Sequence, residues 1–385
     1  MHYVIIGGGI AGTTAAEELR KRRPEADITL VSEERHPVYS RVLLPLYVKG
    51  KIPRERVFLK KETWYADHRI EWMRGVRAEW LDARHKHVEL SDGRELPYDA
   101  LLIAAGGEPA TSLEEPRGVS YFRTLDDADH LDQLLRTLPS DAPAAIYGGG
   151  FIAAEYANLF IHLGRLVTIA FRGPYFWSRT LDAASGALLN RQLGQRGFTL
   201  LPGAQLLSVE GEKELTALAT DKGRVVCALL GVGVGVEPEL GWLRGAGVET
   251  RRGVLTNEYL GTNVPGVYAA GDVTEFFDIT VGRQRLAGTW QNAMSQARVA
   301  AANLAGGHEA YRLVTSYAMN VAGIEVIFIG DTDRAAAERI EVDGSVQDGG
   351  VRQRFIRRGK LVGATLVNRN ADRAFLTEEI GGGGG

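Results

Sequence analysis

The 385-residue chain is 45% hydrophobic and 24% charged, with a formal charge of −3, an ordinary balance for a globular protein with room for two or three domains. That charge gives no general attraction to nucleic acid or to an anionic membrane surface, and the longest apolar run, Val225 to Val236, is broken by glycines and too short to span a bilayer. The single cysteine, Cys227, excludes an intrachain redox disulfide and a cysteine-ligated iron–sulfur cluster, and the scattered histidines lack ligand spacing, so no metal is assigned.

In chain order, Tyr3-Val4-Ile5-Ile6 predicts a strand that turns through Gly7-Gly8-Gly9-Ile10-Ala11-Gly12 into a helix marked by Ala15, Ala16 and Leu19. A core strand starting at Tyr3 leaves no room for a signal or transit peptide, so a cytoplasmic protein is expected. Ile28-Thr29-Leu30-Val31 predicts a second strand, ending in Ser32-Glu33-Glu34. Val88-Glu89-Leu90 with Ser91-Asp92-Gly93 reads as a hairpin, and Leu101 to Ala105 as a buried strand stopped by Gly106-Gly107.

A helix over Asp126–Leu138 leads to the strand Ala144-Ala145-Ile146-Tyr147 and a second glycine turn, Gly148-Gly149-Gly150-Phe151-Ile152-Ala153. The helix it opens runs through Tyr156 and Phe160, and Val167-Thr168-Ile169-Ala170 is the next strand. A return segment holds Val267 to Asp272 and a long helix from about Trp290 to Leu304. The last 75 residues mix strand patterns at Glu325–Ile329, Val351–Ile356 and Leu361–Val367 with a short helix near Arg334–Arg339, which reads as a small α+β domain. Gly381–Gly385 has no side chains to pack and is expected to be disordered.

Each glycine turn sits where a strand passes sharply into a helix, so a pyrophosphate can lie against bare backbone at the helix N-terminus. One such turn is weak evidence; two about 140 residues apart, both in strand–turn–helix context, imply two dinucleotides, one that stays and one that visits. Glu33, 21 residues after Gly12 at the end of the second strand, suits an acceptor for ribose hydroxyls, with Glu34 as the alternative one register away.

From Met1 to about Leu376 the chain resembles the two-dinucleotide-domain flavoproteins, the FAD/NAD(P)-dependent pyridine nucleotide oxidoreductases. Five ordered blocks carry the likeness: Val4–Leu19, Leu102–Gly107, Ala145–Glu155, Val264–Val273 and Trp290–Ala293. Within the family it is similar to ferredoxin and rubredoxin reductases, the flavin module of nitrite reductases, and NADH oxidases. The resemblance implies an α/β fold of two Rossmann-like domains, FAD over 1–110 and 237–310 and NAD(P) over 111–236, with a C-terminal interface domain at 311–380.

It also implies site residues. Gly7, Gly9, Ile10, Ala11 and Gly12 face the FAD pyrophosphate, Ala105 and Gly106 line the same site, and Gly271 with Asp272 reaches the ribityl chain. The N-terminal amides of Trp290, Gln291, Asn292 and Ala293 point at the pyrimidine edge of the flavin, where a helix N-terminus favours negative charge. Arg41 lies near the flavin or its pyrophosphate. Gly148, Gly150, Phe151 and Ile152 hold the nicotinamide nucleotide, and Glu155 stands near the nicotinamide.

Three departures from the family pattern narrow the chemistry. Val42 occupies the redox-cysteine position, which removes thiol-based peroxide or disulfide chemistry. Leu46 stands where a lysine usually pairs with Glu155, so that partner is missing or supplied elsewhere. Phe171 replaces the carboxylate that ends the second strand of the nicotinamide domain, which slightly favours NADP(H), with Arg172 and Arg179 available to a 2′-phosphate.

The implied activity is hydride exchange between NAD(P)H and FAD, and single-electron exchange, in either direction, with an iron–sulfur protein or subunit. Two alternatives stay open: a stand-alone NAD(P)H oxidase or diaphorase, and a flavin-binding assembly protein with a decayed nicotinamide site. The C-terminal domain serves either a homodimer or docking within a larger redox complex.

Overall fold

The computed structural model describes residues 1–110 and 116–382. The N-terminal stretch gives β1 (His2–Ile6), α1 (Ile10–Arg22), β2 (Asp27–Ser32), α2 (Leu44–Val48), β3 (Ile70–Arg74) and β4 (Ala100–Ile103). Then come β5 (Val119–Ser120), α3 (Leu125–Thr137), β6 (Ala144–Tyr147), α4 (Phe151–Leu163), β7 (Val167–Phe171) and α5 (Ala183–Gln195). They are followed by β8 (Thr199–Pro202), β9 (Ala217–Thr220), β10 (Gly223–Val226), β11 (Leu229–Val232), β12 (Val267–Ala269) and α6 (Trp290–Leu304). The C-terminal part holds β13 (Ser316–Val321), β14 (Ile324–Gly330), β15 (Arg339–Ser345), β16 (Gly350–Arg357), β17 (Lys360–Val367) and α7 (Arg373–Gly381). No helix among the described residues is long and apolar enough to cross a membrane.

Two compact units emerge: Met1–Ser40, Arg54–Glu108 and Glu237–Thr315 form the first, and Arg41–Pro53, Pro109–Val236 and Ser316–Gly385 the second. The first is built on a parallel sheet in the order β12-β4-β1-β2-β3. Parallel strands covered on both faces need apolar side chains on both, and β1 supplies them without alternation: Tyr3, Val4, Ile5 and Ile6 are all buried. On one face α1 packs against α6, where Ala15, Ala16 and Leu19 share a core with Ala297, Ala300 and Ala301, and the alanines let the two backbones approach.

The second unit repeats the plan, with a parallel sheet in the order β8-β7-β6-β11-β5 and the β9–β10 hairpin beyond it. Its C-terminal part is an antiparallel sheet in the order β13-β14-β17-β16-β15, covered by α7 through Leu376 and Ile380.

The boundaries differ from the expected ones in three places. Residues 41–53, expected in the first domain, group with the second unit because α2 packs on α3 and α4. The C-terminal sheet, expected to stand apart, also belongs to that unit, where Phe151 of α4 meets Tyr317 and Phe328 edge-on at 4.7 and 5.1 Å. Residues 311–315 stay with the first unit, held by the Tyr311 hydroxyl, which donates to Asn292 Oδ1 at 2.6 Å.

Locally, α3 starts at Leu125, one residue before its expected start. Thr124 caps it: its hydroxyl accepts from Asp127 N–H at 3.1 Å while Asp127 accepts from Thr124 N–H at 2.7 Å. The short helix expected near Arg334–Arg339 is one 3₁₀ turn, Arg334–Ala336, and Arg339 opens β15, because seven register pairs with β16 outweigh a helix of two turns. Of the expected glycine tail, Gly381 is the last residue of α7 and Gly382 closes it at φ +84°; Gly383–Gly385 lie outside the described residues.

Candidate active site

In the first unit the chain leaves β1 through Gly7, whose φ of +117° puts it in the left-handed region. A Cβ there would stand 2.2 Å from the Ala104 carbonyl oxygen and 3.0 Å from Cα of Ala105, so the first glycine turn lies directly against the Ala105–Gly106 segment. Gly9 caps α1 with no side chain in the way, and the helical bonds begin with Thr13 N–H donating to Gly9 O at 3.0 Å. The N–H groups of Ile10, Ala11 and Gly12 therefore have no acceptor among the described residues, and no acidic side chain occupies the first turn.

Gly271, at φ +87°, joins this turn to a second helix start. A Cβ on it would lie 3.1 Å from Cβ of Ala11 and 3.8 Å from Cβ of Ala293. Its N–H donates to Gln296 Oε1 at 2.8 Å, and the Nε2 of the fully buried Gln296 has no partner among the described residues. Asp272 follows, its carboxyl carbon 3.6 Å from where a Gly288 Cβ would be, at the entry to α6. The unit thus gathers two helix N-termini, a bare glycine and a carboxylate.

The four residues that open α6 divide into two pairs. Asn292 N–H is taken by the Thr289 hydroxyl at 3.2 Å, and Ala293 N–H by the Thr289 carbonyl at 3.0 Å. The Asn292 side chain is buried, donating to Ala287 O and accepting from Tyr311, so it braces the turn. Among the described residues the amides of Trp290 and Gln291 have no acceptor, which a linear motif does not reveal.

Glu33 is exposed just beyond β2, in a long 3.9 Å ion pair with Arg77. Glu34 already accepts from the Tyr39 hydroxyl at 2.5 Å. Arg41 groups with the second unit, where its Nε donates to the Arg123 carbonyl at 2.9 Å.

In the second unit Gly148 repeats the first turn: at φ +138°, its Cβ would meet Gly233 O at 2.1 Å. Gly150 differs, being extended at φ −117° with no atom within 4 Å of a Cβ. That open space lies in front of α4, whose Phe151, Ile152 and Ala153 N–H groups precede its first intrahelical bond, Ala154 N–H to Gly150 O at 3.0 Å. The Phe151 ring turns away into a cluster with Trp177, Tyr317 and Phe328, so only its amide serves the turn. Phe171 is buried, its Cβ 3.3 Å from where one on Gly149 would stand and its ring edge-on to Phe176. Arg172 beside it is exposed.

Glu155, one turn into α4, is largely shielded, and burial pushes its carboxyl above the ordinary range. The opposing influence is the Lys49 ammonium, itself lowered by burial and raised by Glu155. The charge that acts on Glu155 is thus that of Lys49, three residues beyond Leu46, or about one helical turn on, at the end of α2. Neighbouring Tyr317 is pushed up to about 12 by burial, with Glu155 adding to the shift. Lys49, Gln296 and the Thr289 cap are the residues that linear reading missed. The i, i+3 spacing of Leu46 and Lys49 was the one signal available for the first.

Both turns suit a pyrophosphate, because unpaired amides converge on bare glycine and a side chain at Gly150 would fill the space. Two parallel α/β units carrying such turns define a two-nucleotide oxidoreductase fold. The family model for the pyridine nucleotide-disulphide oxidoreductases matches residues 1–297, and the chain belongs to that family. FAD and NAD(P)H are the cofactors that this family uses.

Among its relatives is the nitrite reductase [NAD(P)H] of Bacillus subtilis (strain 168), 29% identical over 376 residues, or 96% of this chain and 46% of that protein. The chain thus spans about half of that relative's length. The biphenyl dioxygenase system ferredoxin–NAD(+) reductase component of Paraburkholderia xenovorans (strain LB400) is 31% identical over 381 residues, 98% of this chain and 92% of its own. In the covalent putidaredoxin reductase–putidaredoxin complex, the matched chain superposes with a TM-score of 0.89 at 26% identity, covering 98% of this chain and 93% of that one.

Proposed function

We propose that the protein moves reducing equivalents between NAD(P)H and a resident FAD, and single electrons between that flavin and an iron–sulfur protein or subunit. The observation that carries this reading is the pair of glycine turns, each with three amides that have no acceptor among the described residues and no acidic side chain in the first turn. When bound, FAD supplies the step between two-electron and one-electron chemistry.

The residues divide by unit. In the first, the Ile10–Gly12 amides hold the FAD pyrophosphate, Glu33 rather than Glu34 accepts from the ribose, Asp272 takes the ribityl chain, and the Trp290 and Gln291 amides offer positive potential at a helix N-terminus. In the second, the Phe151–Ala153 amides hold the nicotinamide nucleotide, and Glu155 with Lys49 sets the charge beside it.

The one cysteine in these 385 residues is buried, so the one-electron centre of this reading lies outside them. Several relatives are named as reductases of ferredoxin or rubredoxin, which supports that class of partner. We place this activity in the cytoplasm, where NAD(P)H is available.

Steady-state turnover with oxidised ferredoxin or rubredoxin, compared with oxygen alone, tests the reading. Faster oxidation of NAD(P)H with an iron–sulfur acceptor is expected; equal rates with oxygen alone contradict it.

A further inference from the structure

The end of β7 is where a fold of this kind sets its preference between the two nicotinamide nucleotides, because the ribose 2′-position of a bound adenosine reaches that edge. A carboxylate there accepts from the two ribose hydroxyls and repels a 2′-phosphate. This chain ends β7 with Phe171, whose ring is fully engaged in supporting the Gly149 turn and packing on Phe176. The loop that follows, residues 172–181, holds Arg172 and Arg179 and no acidic side chain; the next one, Asp182, is committed to capping α5 by accepting from Ser185 N–H at 2.8 Å.

A second segment brings another cation to the same edge. Gly203, just after β8, donates its N–H to the Gly173 carbonyl at 2.9 Å, fixing it next to Arg172. Lys222, at the tip of the β9–β10 hairpin, places its Nζ 3.1 Å from where a Cβ on Gly203 would stand. Arg172 and Lys222 are exposed, and neither side chain has an ion-pair or hydrogen-bond partner among the described residues. The adjacent carboxylate, Asp221, accepts from Gln205 N–H at 2.8 Å.

Resting on the nicotinamide site proposed above, we infer that the second unit selects a 2′-phosphorylated nucleotide, NADP(H) over NAD(H), through Arg172 and Lys222. Guanidinium and ammonium groups from two separate segments flank one position that lacks a carboxylate. A dianionic phosphate gains charge-assisted hydrogen bonds there, whereas a ribose hydroxyl finds no acceptor.

The test uses the FAD-loaded protein and calorimetric binding of adenosine 2′,5′-bisphosphate against adenosine 5′-monophosphate. The bisphosphate is expected to bind roughly ten- to hundredfold more tightly, the margin shrinking as salt rises. Arg172→Glu and Lys222→Glu, on different elements, are each expected to cut that ratio by about tenfold. Equal affinity for the two ligands, or a ratio that neither substitution changes, overturns the selectivity while leaving the nicotinamide site standing. Binding of neither ligand to a folded, FAD-loaded protein overturns the site itself, and the selectivity with it.

Discussion

Gly150→Ala separates folding from nucleotide binding. The backbone at Gly150 has φ −117° and ψ −157°, an extended conformation open to alanine, and the new methyl meets no atom within 4 Å. Replacing glycine in a compatible conformation stabilises a fold by about 0.4–1 kcal/mol, mainly by restricting the unfolded chain. The same methyl enters the space that a pyrophosphate needs. If it costs one or two charge-assisted hydrogen bonds, about 2–4 kcal/mol in all, affinity falls about 30- to 700-fold.

The assay pairs urea unfolding with titration of NAD(P)H into the FAD-loaded variant. Unchanged or slightly raised stability, normal FAD retention and lost NAD(P)H binding are expected. Gly148→Ala is the contrast, since at φ +138° its Cβ strikes Gly233 O at 2.1 Å and the fold itself should suffer. NAD(P)H binding by Gly150→Ala within threefold of the parent would refute the pyrophosphate assignment, and a destabilised Gly150→Ala would refute the geometry.

Thr289→Ala removes the cap of α6 and should cost about 1 kcal/mol, with FAD released at lower urea than in the parent. Tyr311→Phe leaves the buried Asn292 Oδ1 without its donor and should cost about 1–3 kcal/mol by denaturant titration. Because burial holds the Glu155 carboxyl above its unfolded value, its ionised form opposes folding once pH rises through the folded pKa. Glu155→Gln should therefore raise the melting temperature at neutral pH and converge with the parent below about pH 4; a difference that does not change with pH contradicts the burial argument.

The two glycine turns were legible because only glycine tolerates the left-handed backbone and close carbonyl contacts at Gly7 and Gly148, so composition reports geometry there. Phe171 was legible as a departure, but its support of the Gly149 turn was not. β13 and β15 escaped notice because edge strands carry polar residues on the solvent side, as Arg339, Asp343 and Asn320 do, and their pairing partners lie elsewhere in the chain. Lys49 was missed because comparison by position stops at Leu46, whereas α2 brings a lysine one turn later whose charge acts on Glu155. Which amides of the Trp290–Ala293 start remain unpaired depends on Thr289, whose hydroxyl takes Asn292 N–H and whose carbonyl takes Ala293 N–H, and no linear pattern carries that.

Visible spectroscopy under anaerobic conditions tests the central claim most directly. Protein incubated with FAD and freed of excess should stay yellow, bleach on addition of NAD(P)H, and recover its colour when an oxidised iron–sulfur protein is added. Protein that emerges colourless, or a bound flavin that neither NADH nor NADPH bleaches, contradicts the account.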